Sequence, residues 1–289
     1  MPSALLIKLI SNRYTLLTDD QVRLIAMASG KMKLKTSPMV GDRCEYELRE
    51  DQVVITDVLP RTNSLIRPVI ANVDQALIVM SAVKPDFSSA LVDRFTWLIR
   101  QANITPLLIV TKLDCVEPTH PVYDAMRTYE ASGMTVVRVA RGQAMVGLEE
   151  VLAHKISVLT GQSGVGKSSL LNRLNPDFVL HTQEISKALG RGKHTTRHVE
   201  LYEVAQGFVA DTPGFSSLDF STIPAKQLEG LVMEFDPYRD QCFFRDCSHL
   251  NEPKCAVKEA VKSNHIPQER YDHYCELMTV LNETKESYR

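Results

Sequence analysis

The sequence predicts an α/β protein with a small β-barrel at its N-terminus and a metal-binding helical segment at its C-terminus. Five short apolar or alternating runs, separated by turn residues, fall within residues 1–68, a pattern typical of a small barrel. Strand patterns then alternate with amphipathic helical patterns, which indicates a parallel sheet covered by helices. Three cysteines and one histidine, residue types that bind zinc, cluster within residues 242–255.

The composition excludes several classes of protein. Of the 289 residues 44% are hydrophobic, and the net charge is −2, so any contact with nucleic acid depends on local basic patches. No apolar run reaches the roughly 18 residues of a membrane span. Because Lys8 and Arg13 interrupt the N-terminal run, we also expect no signal peptide. Six cysteines without a signal favour the reducing cytoplasm over a disulfide framework.

Residues 1–68 are predicted to form a five-stranded barrel of the OB-fold type. The strand patterns cover residues 5–10, 13–17, 22–28, 44–48 and 53–59, and residues 61–68 are expected to be a linker. Lys31, Lys33 and Lys35 alternate and therefore share one face of the chain. That face is either a contact for nucleic acid or a solvated edge that resists aggregation.

Residues 69–222 are predicted to form an α/β domain, and residues 223–289 a helical domain. Apolar runs predict strands at residues 75–81, 105–110, 134–139, 156–160 and 207–210, and helical spacing predicts helices at residues 89–101 and 123–131. The last helix is expected at about residues 268–286, with Tyr271, Tyr274, Met278 and Leu281 on its packing face. His273 lacks ligand spacing and is expected to be an ordinary surface or helix residue.

A phosphate-binding loop is the motif around which the chain is organised. Residues 161–168 read Gly-x-x-x-x-Gly-Lys-Ser between a predicted strand and a predicted helix, the context in which this pattern holds phosphates. Its backbone N–H groups would converge on phosphate oxygens, Lys167 would reach the β- and γ-phosphates, and Ser168 would ligate Mg²⁺. The expected nucleotide contacts here are Gly161, Gln162, Ser163, Gly164, Val165, Gly166, Lys167, Ser168 and Ser169.

Residues 111–114 carry a second nucleotide feature, because loops at the carboxyl ends of parallel strands form the binding sites of such sheets. The segment consists of Thr111, Lys112, Leu113 and Asp114. The Asp114 carboxylate can accept hydrogen bonds from N1–H and N2–H₂ of guanine, a donor pair that adenine lacks, and the stem of Lys112 can lie along the base. Taken alone, a lysine and an aspartate after a strand are also common in surface loops.

Two further segments are predicted to approach the γ-phosphate. Asp211 follows the strand at residues 207–210 and would hold Mg²⁺ through water, and Gly214 would offer its N–H to the γ-phosphate. The basic loop at residues 189–197 lies between this segment and the phosphate loop, and it can supply a threonine to Mg²⁺.

The order of these motifs resembles a circularly permuted GTPase, because residues 111–114 match the G4 motif yet precede the G1, G2 and G3 motifs. Such a permutation keeps the sheet and its loops and moves only the chain ends. With the barrel before this domain and the cysteine cluster after it, nearly the whole chain resembles the RsgA family of ribosome small-subunit biogenesis GTPases. The matching stretches are residues 61–68, 71–75, 161–172, 190–196 and 211–215, while residues 139–141 stand at the G5 position with an altered sequence.

The resemblance implies that GTP is hydrolysed to GDP and phosphate, and that the small (30S) ribosomal subunit stimulates this reaction. It also implies that the GTP state binds the subunit and its 16S rRNA during late maturation and is released after hydrolysis. The implied Mg²⁺ ligands are Ser168, Thr196 and Asp211, with Thr195 as the alternative to Thr196. We expect a monomeric cytoplasmic protein that contacts no membrane, with the alternating lysines of the barrel as RNA contacts.

Phe215 occupies the position where Ras-like enzymes have the glutamine that orients the attacking water, and a phenyl ring cannot do this. His194 in the basic loop is our candidate to orient that water or accept its proton, the alternative being an exposed residue without a catalytic role. The predicted catalytic residues are therefore His194, Lys167 and Thr196.

The C-terminal cluster predicts one structural zinc ion per chain. Its ligands would be Cys242, Cys247, His249 and Cys255. Three thiolates and one imidazole suit a closed tetrahedral site, and the family resemblance implies the same ligands.

Two other functions stay open on the sequence. An ATP-dependent phosphotransferase would use the same phosphate loop, although Asp114 argues for guanine. A nucleotide-gated RNA-binding protein with negligible turnover would be consistent with Phe215.

Overall fold

The computed structural model describes residues 1–28, 36–66, 68–174, 199–210 and 220–286. The chain forms two compact units, Met1–Val79 with Met145–Ser216, and Met80–Ala144 with Ser217–Arg289. Several predicted functional residues lie outside the described residues: Lys31, Lys33, Lys35, His194, Thr195, Thr196, Asp211, Gly214 and Phe215.

The N-terminal barrel is confirmed. Its strands are β1 (Ser3–Ile10), β2 (Arg13–Leu17), β3 (Arg23–Ala28), β4 (Arg43–Arg49) and β5 (Gln52–Val58). They close in the order β1-β2-β3-β5-β4, with β3 and β5 parallel and the other pairs antiparallel. The barrel core consists of Ala4, Leu6, Tyr14, Leu16, Ala26, Cys44 and Ile55. Alternation of apolar and polar residues therefore predicted the strands correctly, because one face of each strand fills the barrel.

The stretch predicted as a linker is more ordered than expected. β6 (Ser64–Leu65) and β7 (Ile70–Ala71) pair as a two-stranded sheet. The Arg61 guanidinium donates to both carboxylate oxygens of the buried Asp42, at 2.7 and 2.8 Å. The Asn63 amide is hydrogen bonded to the backbone of Val73 through both its oxygen and its nitrogen. The prediction of a plain linker was wrong here, since the charged and amide side chains fix its path.

A six-stranded sheet follows. The sequence predicted five of its strands but not the strand at Leu201–Val204, which pairs antiparallel with its neighbour. Its strands are β8 (Gln75–Ser81), β9 (Thr105–Thr111), β10 (Val136–Arg138), β11 (Ile156–Thr160), β12 (Leu201–Val204) and β13 (Gly207–Ala210), in the order β10-β9-β8-β11-β13-β12. β10 pairs in parallel with β9, and β11 pairs in parallel with β8 and β13. β8 and β11 are buried along their whole length, as expected for parallel strands covered on both faces.

Helices alternate with these strands along the chain and recur in the C-terminal segment. They are α1 (Ser89–Gln101), α2 (Val122–Ala131), α3 (Leu148–Leu152), α4 (Lys167–Leu174), α5 (Ala225–Leu228), α6 (Ala256–Lys262) and α7 (Gln268–Glu286). α1 begins where predicted because the Ser88 hydroxyl accepts a hydrogen bond from the Leu91 N–H at 3.3 Å. Among the residues that the structure describes, no helix has the length and apolar character needed to cross a membrane.

A buried ionic cluster joins α7 to α1 and α2 within the second unit. Arg270 pairs with Asp93, donates to Glu234 at 3.0 Å, and lies 4.0 Å above the Tyr129 ring. The Nδ1 atom of His273, a residue for which the sequence predicts no special role, lies 2.6 Å from Asp93 Oδ2. His273 lies on a helix as expected, but its side chain is mostly buried against Asp93 rather than at the surface, because a buried carboxylate needs polar partners.

Candidate nucleotide loops and metal site

The phosphate loop of the first unit has a backbone that only glycine can adopt at its start. Gly161 has φ +135°, and a Cβ placed there would lie 2.1 Å from the carbonyl oxygen of Val79. Gly164 and Gly166 also have positive φ, at +83° and +99°. The loop therefore turns tightly from the end of β11 into α4, which begins at Lys167.

Polar groups of this loop are arranged around the N-terminus of α4. The Lys167 ammonium turns back over the loop and donates to the carbonyl oxygens of Gly161 and Gln162, at 2.7 and 2.6 Å. Burial lowers the pKa of Lys167, yet the group stays close to two dipoles that favour its charged form. Ser168 and Ser169 are exposed in the first helical turn, while Leu170 and Leu171 are buried and anchor the helix.

This arrangement is suited to binding an anion. The first N–H groups of a helix have no partner within the helix, and the helix dipole places partial positive charge at this end. The flexible stem of Lys167 can exchange the loop carbonyls for phosphate oxygens without leaving the loop. The structure describes all nine residues predicted as nucleotide contacts here, 161–169, and places the last three of them in the first turn of α4.

The second predicted loop lies at the end of β9 in the second unit. Thr111 is 5% exposed, and its hydroxyl donates to the carbonyl oxygen of Met80 at 3.2 Å, so this side chain contributes to strand packing. Lys112 has φ +58° and donates to the carbonyl oxygen of Lys84. Leu113 is buried. The chain thus turns sharply after the strand and places the next residue, Asp114, at the surface.

Asp114 is exposed, and the backbone fixes its carboxylate. Its Oδ1 accepts a hydrogen bond from the Arg141 N–H at 2.8 Å, and this bond lowers the pKa of Asp114. The Leu113 N–H donates to the carbonyl oxygen of Val139 at 3.3 Å. Residues 139–141, which stand at the G5 position, therefore support this loop through their backbone. A fixed, ionised carboxylate is the acceptor that a guanine edge requires.

The C-terminal cluster brings its four predicted ligands together. The Sγ atoms of Cys242, Cys247 and Cys255 and a ring nitrogen of His249 all lie within 4.8 Å of one another. The Sγ atoms of Cys242 and Cys255 are 3.8 Å apart, and His249 Nδ1 lies 3.3 Å from Cys255 Sγ. A tetrahedral ion about 2.3 Å from each sulfur also requires sulfur atoms about 3.8 Å apart. These residues can therefore hold one metal ion with all four positions filled by protein.

The electrostatics of the cluster agree with a bound cation. Burial, with the neighbouring thiols, raises the pKa of Cys247 to about 12, so the thiolate form needs a positive partner. Burial lowers the pKa of His249, which keeps the ring neutral and able to offer a lone pair.

Hydrogen bonds from outside the cluster hold the loop that carries its ligands. Glu252 accepts from the Ser248 N–H at 2.7 Å, the Ser248 hydroxyl at 2.6 Å and the Leu250 N–H at 3.0 Å. Although burial opposes it, this bonding lowers the pKa of Glu252 to about 2. The hydroxyls of Tyr271 and Tyr274 donate to the carbonyl oxygens of His249 and Ser248, both at 2.6 Å.

The sequence predicted only part of this support. The two tyrosines were expected to pack α7, and they do, but their hydroxyls also fix the ligand loop. Their spacing of three residues on one helix face, in the segment that follows a cysteine–histidine cluster, is the signal that could have suggested this role.

Fold and motifs together define the class of protein. The chain is a phosphate-loop GTPase in which the guanine-type loop precedes the phosphate loop, so its G domain is circularly permuted. A family model described as RsgA GTPase matches residues 58–221, which is more than half of the chain. The chain therefore belongs to the RsgA GTPase family.

Relatives match over the whole length. The protein named Small ribosomal subunit biogenesis GTPase RsgA of Geobacillus kaustophilus (strain HTA426) is 44% identical over 297 aligned residues, covering 100% of both chains. The protein of the same name in Bacillus subtilis (strain 168) is 42% identical, again with full coverage of both.

Two solved structures are similar throughout. One, described as YloQ, a circularly permuted GTPase, has a TM-score of 0.86 and 37% identity, covering 98% of this chain and 96% of that one. YjeQ from Thermotoga maritima has a TM-score of 0.83 and 33% identity, covering 97% of this chain and 98% of that one.

Proposed function

We propose that this protein hydrolyses GTP to GDP and phosphate and serves in late maturation of the small ribosomal subunit, which it binds and leaves in step with hydrolysis. The observation that carries the proposal is the combination of the folded phosphate loop with the fixed Asp114 carboxylate. Full-length relatives named small ribosomal subunit biogenesis GTPases indicate the partner.

The phosphate loop would bind the triphosphate. Lys167 would leave the carbonyls of Gly161 and Gln162 and bind the β- and γ-phosphates, and the N–H groups at the start of α4 would take the remaining oxygens. Exposed Ser168 would ligate Mg²⁺ together with Thr196, or Thr195, and Asp211. Gly214 would contact the γ-phosphate.

The loop at residues 111–114 would select guanine. Asp114 would accept from N1–H and N2–H₂ of the base, because its carboxylate is exposed and ionised. The stem of Lys112 would cover the base, and the Leu113 side chain anchors the loop. Thr111 would contribute less to the base than to strand packing, since its hydroxyl already donates to Met80.

His194 would orient the attacking water, because Phe215 cannot. Intrinsic turnover would then be slow, and the small subunit would accelerate it. The domains proposed for these steps are an RNA-binding barrel at residues 1–68, the GTPase at residues 69–222 and the metal-bound segment at residues 223–289.

The C-terminal cluster would bind one Zn²⁺ per chain. Three thiolates and one imidazole at tetrahedral spacing favour zinc over Mg²⁺ or Ca²⁺, which prefer oxygen ligands. With no position left for water, the ion would stabilise the fold rather than take part in chemistry.

The proposed ribosomal partner leads us to expect a cytoplasmic location, a monomeric state and contacts with RNA. A factor for small subunits works in the cytoplasm, where these subunits are assembled, and we expect it to act as a monomer. Lys31, Lys33 and Lys35 would contact 16S rRNA from the barrel, as a basic stripe on an OB fold does.

The test is GTP turnover by the purified protein, alone and with purified small ribosomal subunits, with ATP as the control nucleotide. We expect slow turnover of GTP alone, a large increase with subunits, and little turnover of ATP. If GTP binds but subunits change nothing, the proposed coupling is wrong. Negligible turnover under both conditions would instead support a nucleotide-gated RNA-binding protein, the reading that Phe215 favours.

A further inference from the structure

One nitrogen of the metal-site histidine faces away from the thiols. The His249 side chain is 1% exposed, and its Nδ1 lies 3.3 Å from Cys255 Sγ and 3.6 Å from Cys242 Sγ. Its other nitrogen, Nε2, is a buried side-chain atom that makes no hydrogen bond within the described part of the chain. The Phe235 ring contacts the imidazole edge-on at a centroid distance of 5.3 Å, which restricts rotation of the imidazole.

A carboxylate lies directly opposite this nitrogen. Glu229 Oε2 is 3.6 Å from His249 Nε2, slightly beyond a good hydrogen bond. Glu229 begins the turn Glu229–Leu231, and its side chain is 34% exposed. Both residues line a cleft of about 670 Å³, so the carboxylate has room to move the few tenths of an ångström that a hydrogen bond requires.

A neutral imidazole carries one proton, and the nitrogen without that proton is the one that can bind a metal. A proton on Nε2 leaves the lone pair on Nδ1, the nitrogen that faces the thiols. A metal-binding histidine commonly donates its other N–H to a carboxylate, which fixes the tautomer, orients the ring and raises its basicity.

We propose that Glu229 is a positioning residue of the metal centre, whose carboxylate accepts the Nε2–H of His249 and so directs Nδ1 to the ion. This inference rests on the proposed zinc site. It differs from the role of Glu252, which holds the backbone on both sides of His249 through Ser248 and Leu250 rather than the imidazole ring.

The test is zinc affinity of the full-length protein, measured by competition with a chelating dye. Glu229→Met keeps the length of the side chain and removes the acceptor, and we expect the dissociation constant to rise about 10- to 100-fold. Glu229→Gln keeps an acceptor oxygen and loses only the charge, so a smaller rise of about three- to tenfold is expected. Asp240→Asn, on the same cleft, is the matched control and should change the constant less than about twofold.

A second measurement separates this role from simple packing. Long-range ¹⁵N spectra should show a protonated Nε2 on His249 in the wild type, and its proton should exchange with solvent faster in Glu229→Gln. Unchanged zinc affinity in both Glu229 variants, or unchanged exchange in Glu229→Gln, would overturn the proposal even if Glu229→Met does not fold. A wild type that takes up no zinc would overturn the metal assignment and this inference together, without touching GTP hydrolysis.

Discussion

The metal cluster and the phosphate loop both gather polar atoms, but they hold them in different ways. In the cluster, three of the four ligand residues are buried. The loop between them is fixed by hydrogen bonds that Glu252 accepts and that Tyr271 and Tyr274 donate. In the phosphate loop, Ser168 is exposed and Lys167 bonds to carbonyls of its own loop. The cluster can therefore hold one metal ion in a closed site, whereas we expect the loop to exchange its carbonyl partners for phosphate. Substitutions should therefore affect the two regions differently.

Removing a ligand of the cluster should have the largest effect. We expect Cys255→Ser to abolish tight metal binding, because the apparent binding free energy of structural zinc is about 10–16 kcal/mol and depends on all four ligands. The second unit should then unfold at a lower temperature. Metal content by mass spectrometry and thermal unfolding test this. Cys275→Ser, at a partly buried thiol outside the cluster, should keep the metal, and a full metal content in Cys255→Ser would refute the ligand assignment.

Glycine at the start of the phosphate loop should matter for stability itself. Gly161→Ala places a Cβ against the Val79 carbonyl at φ +135°, and we expect a loss of about 3 kcal/mol in the free energy of unfolding in urea. Gly133→Ala is the matched control, because Gly133 has φ +88° but open space around a Cβ. It should cost only about 1 kcal/mol. Equal losses in the free energy of unfolding of the two variants would mean that the contact of the added Cβ with the Val79 carbonyl does not destabilise the protein.

Lys167→Ala should weaken GTP binding and leave the metal in place. Two charge-assisted hydrogen bonds to phosphates at about 1.5 kcal/mol each correspond to a roughly 100-fold rise in the GTP dissociation constant. Titration with a fluorescent GTP analogue measures it. Lys262→Ala, an exposed lysine of α6, should bind GTP like the wild type. Loss of metal from Lys167→Ala would contradict the independence of the two regions.

The smallest expected effect is on base selection. Asp114→Asn should lower the preference for GTP over ATP by about tenfold, since one donor–acceptor match is lost. Asp124→Asn, at an exposed helix position, should leave the preference unchanged. Because the Arg141 N–H lowers the pKa of Asp114, the carboxylate stays ionised at neutral and mildly acidic pH and becomes protonated only in more strongly acidic solution. Binding competition should thus show a constant preference between about pH 8 and pH 5.

The same comparison shows what a sequence can predict. Strands, the phosphate loop and the four metal ligands follow from local spacing, because periodicity and short motifs are properties of neighbouring residues. Other contacts join residues that are far apart in the sequence. They are the contacts of Arg61 with Asp42, of Thr111 with the Met80 carbonyl, and of His249 with Glu229. Each joins elements that are distant in the chain, so only the folded structure reveals it.

The buried pair of Arg270 and Asp93 is the clearest case. Both lie on helices that the sequence predicted correctly, yet both are buried, although charged side chains rarely face a core. Their burial depends on how α7 packs against α1, which no local pattern encodes. The contact of His273 with Asp93 depends on the same packing.

The difference between the two sites is tested most directly by measuring the binding of a fluorescent GTP analogue and the metal content on the same sample. The protein is desalted into buffer without Mg²⁺ and then given Mg²⁺ again. We expect the affinity for the analogue to fall without Mg²⁺ and to recover with it, while one tightly bound metal ion per chain stays throughout. Two results would contradict the distinction between a permanent metal site and an exchangeable nucleotide site. One is loss of the tightly bound ion on desalting, and the other is an affinity for the analogue that does not depend on Mg²⁺.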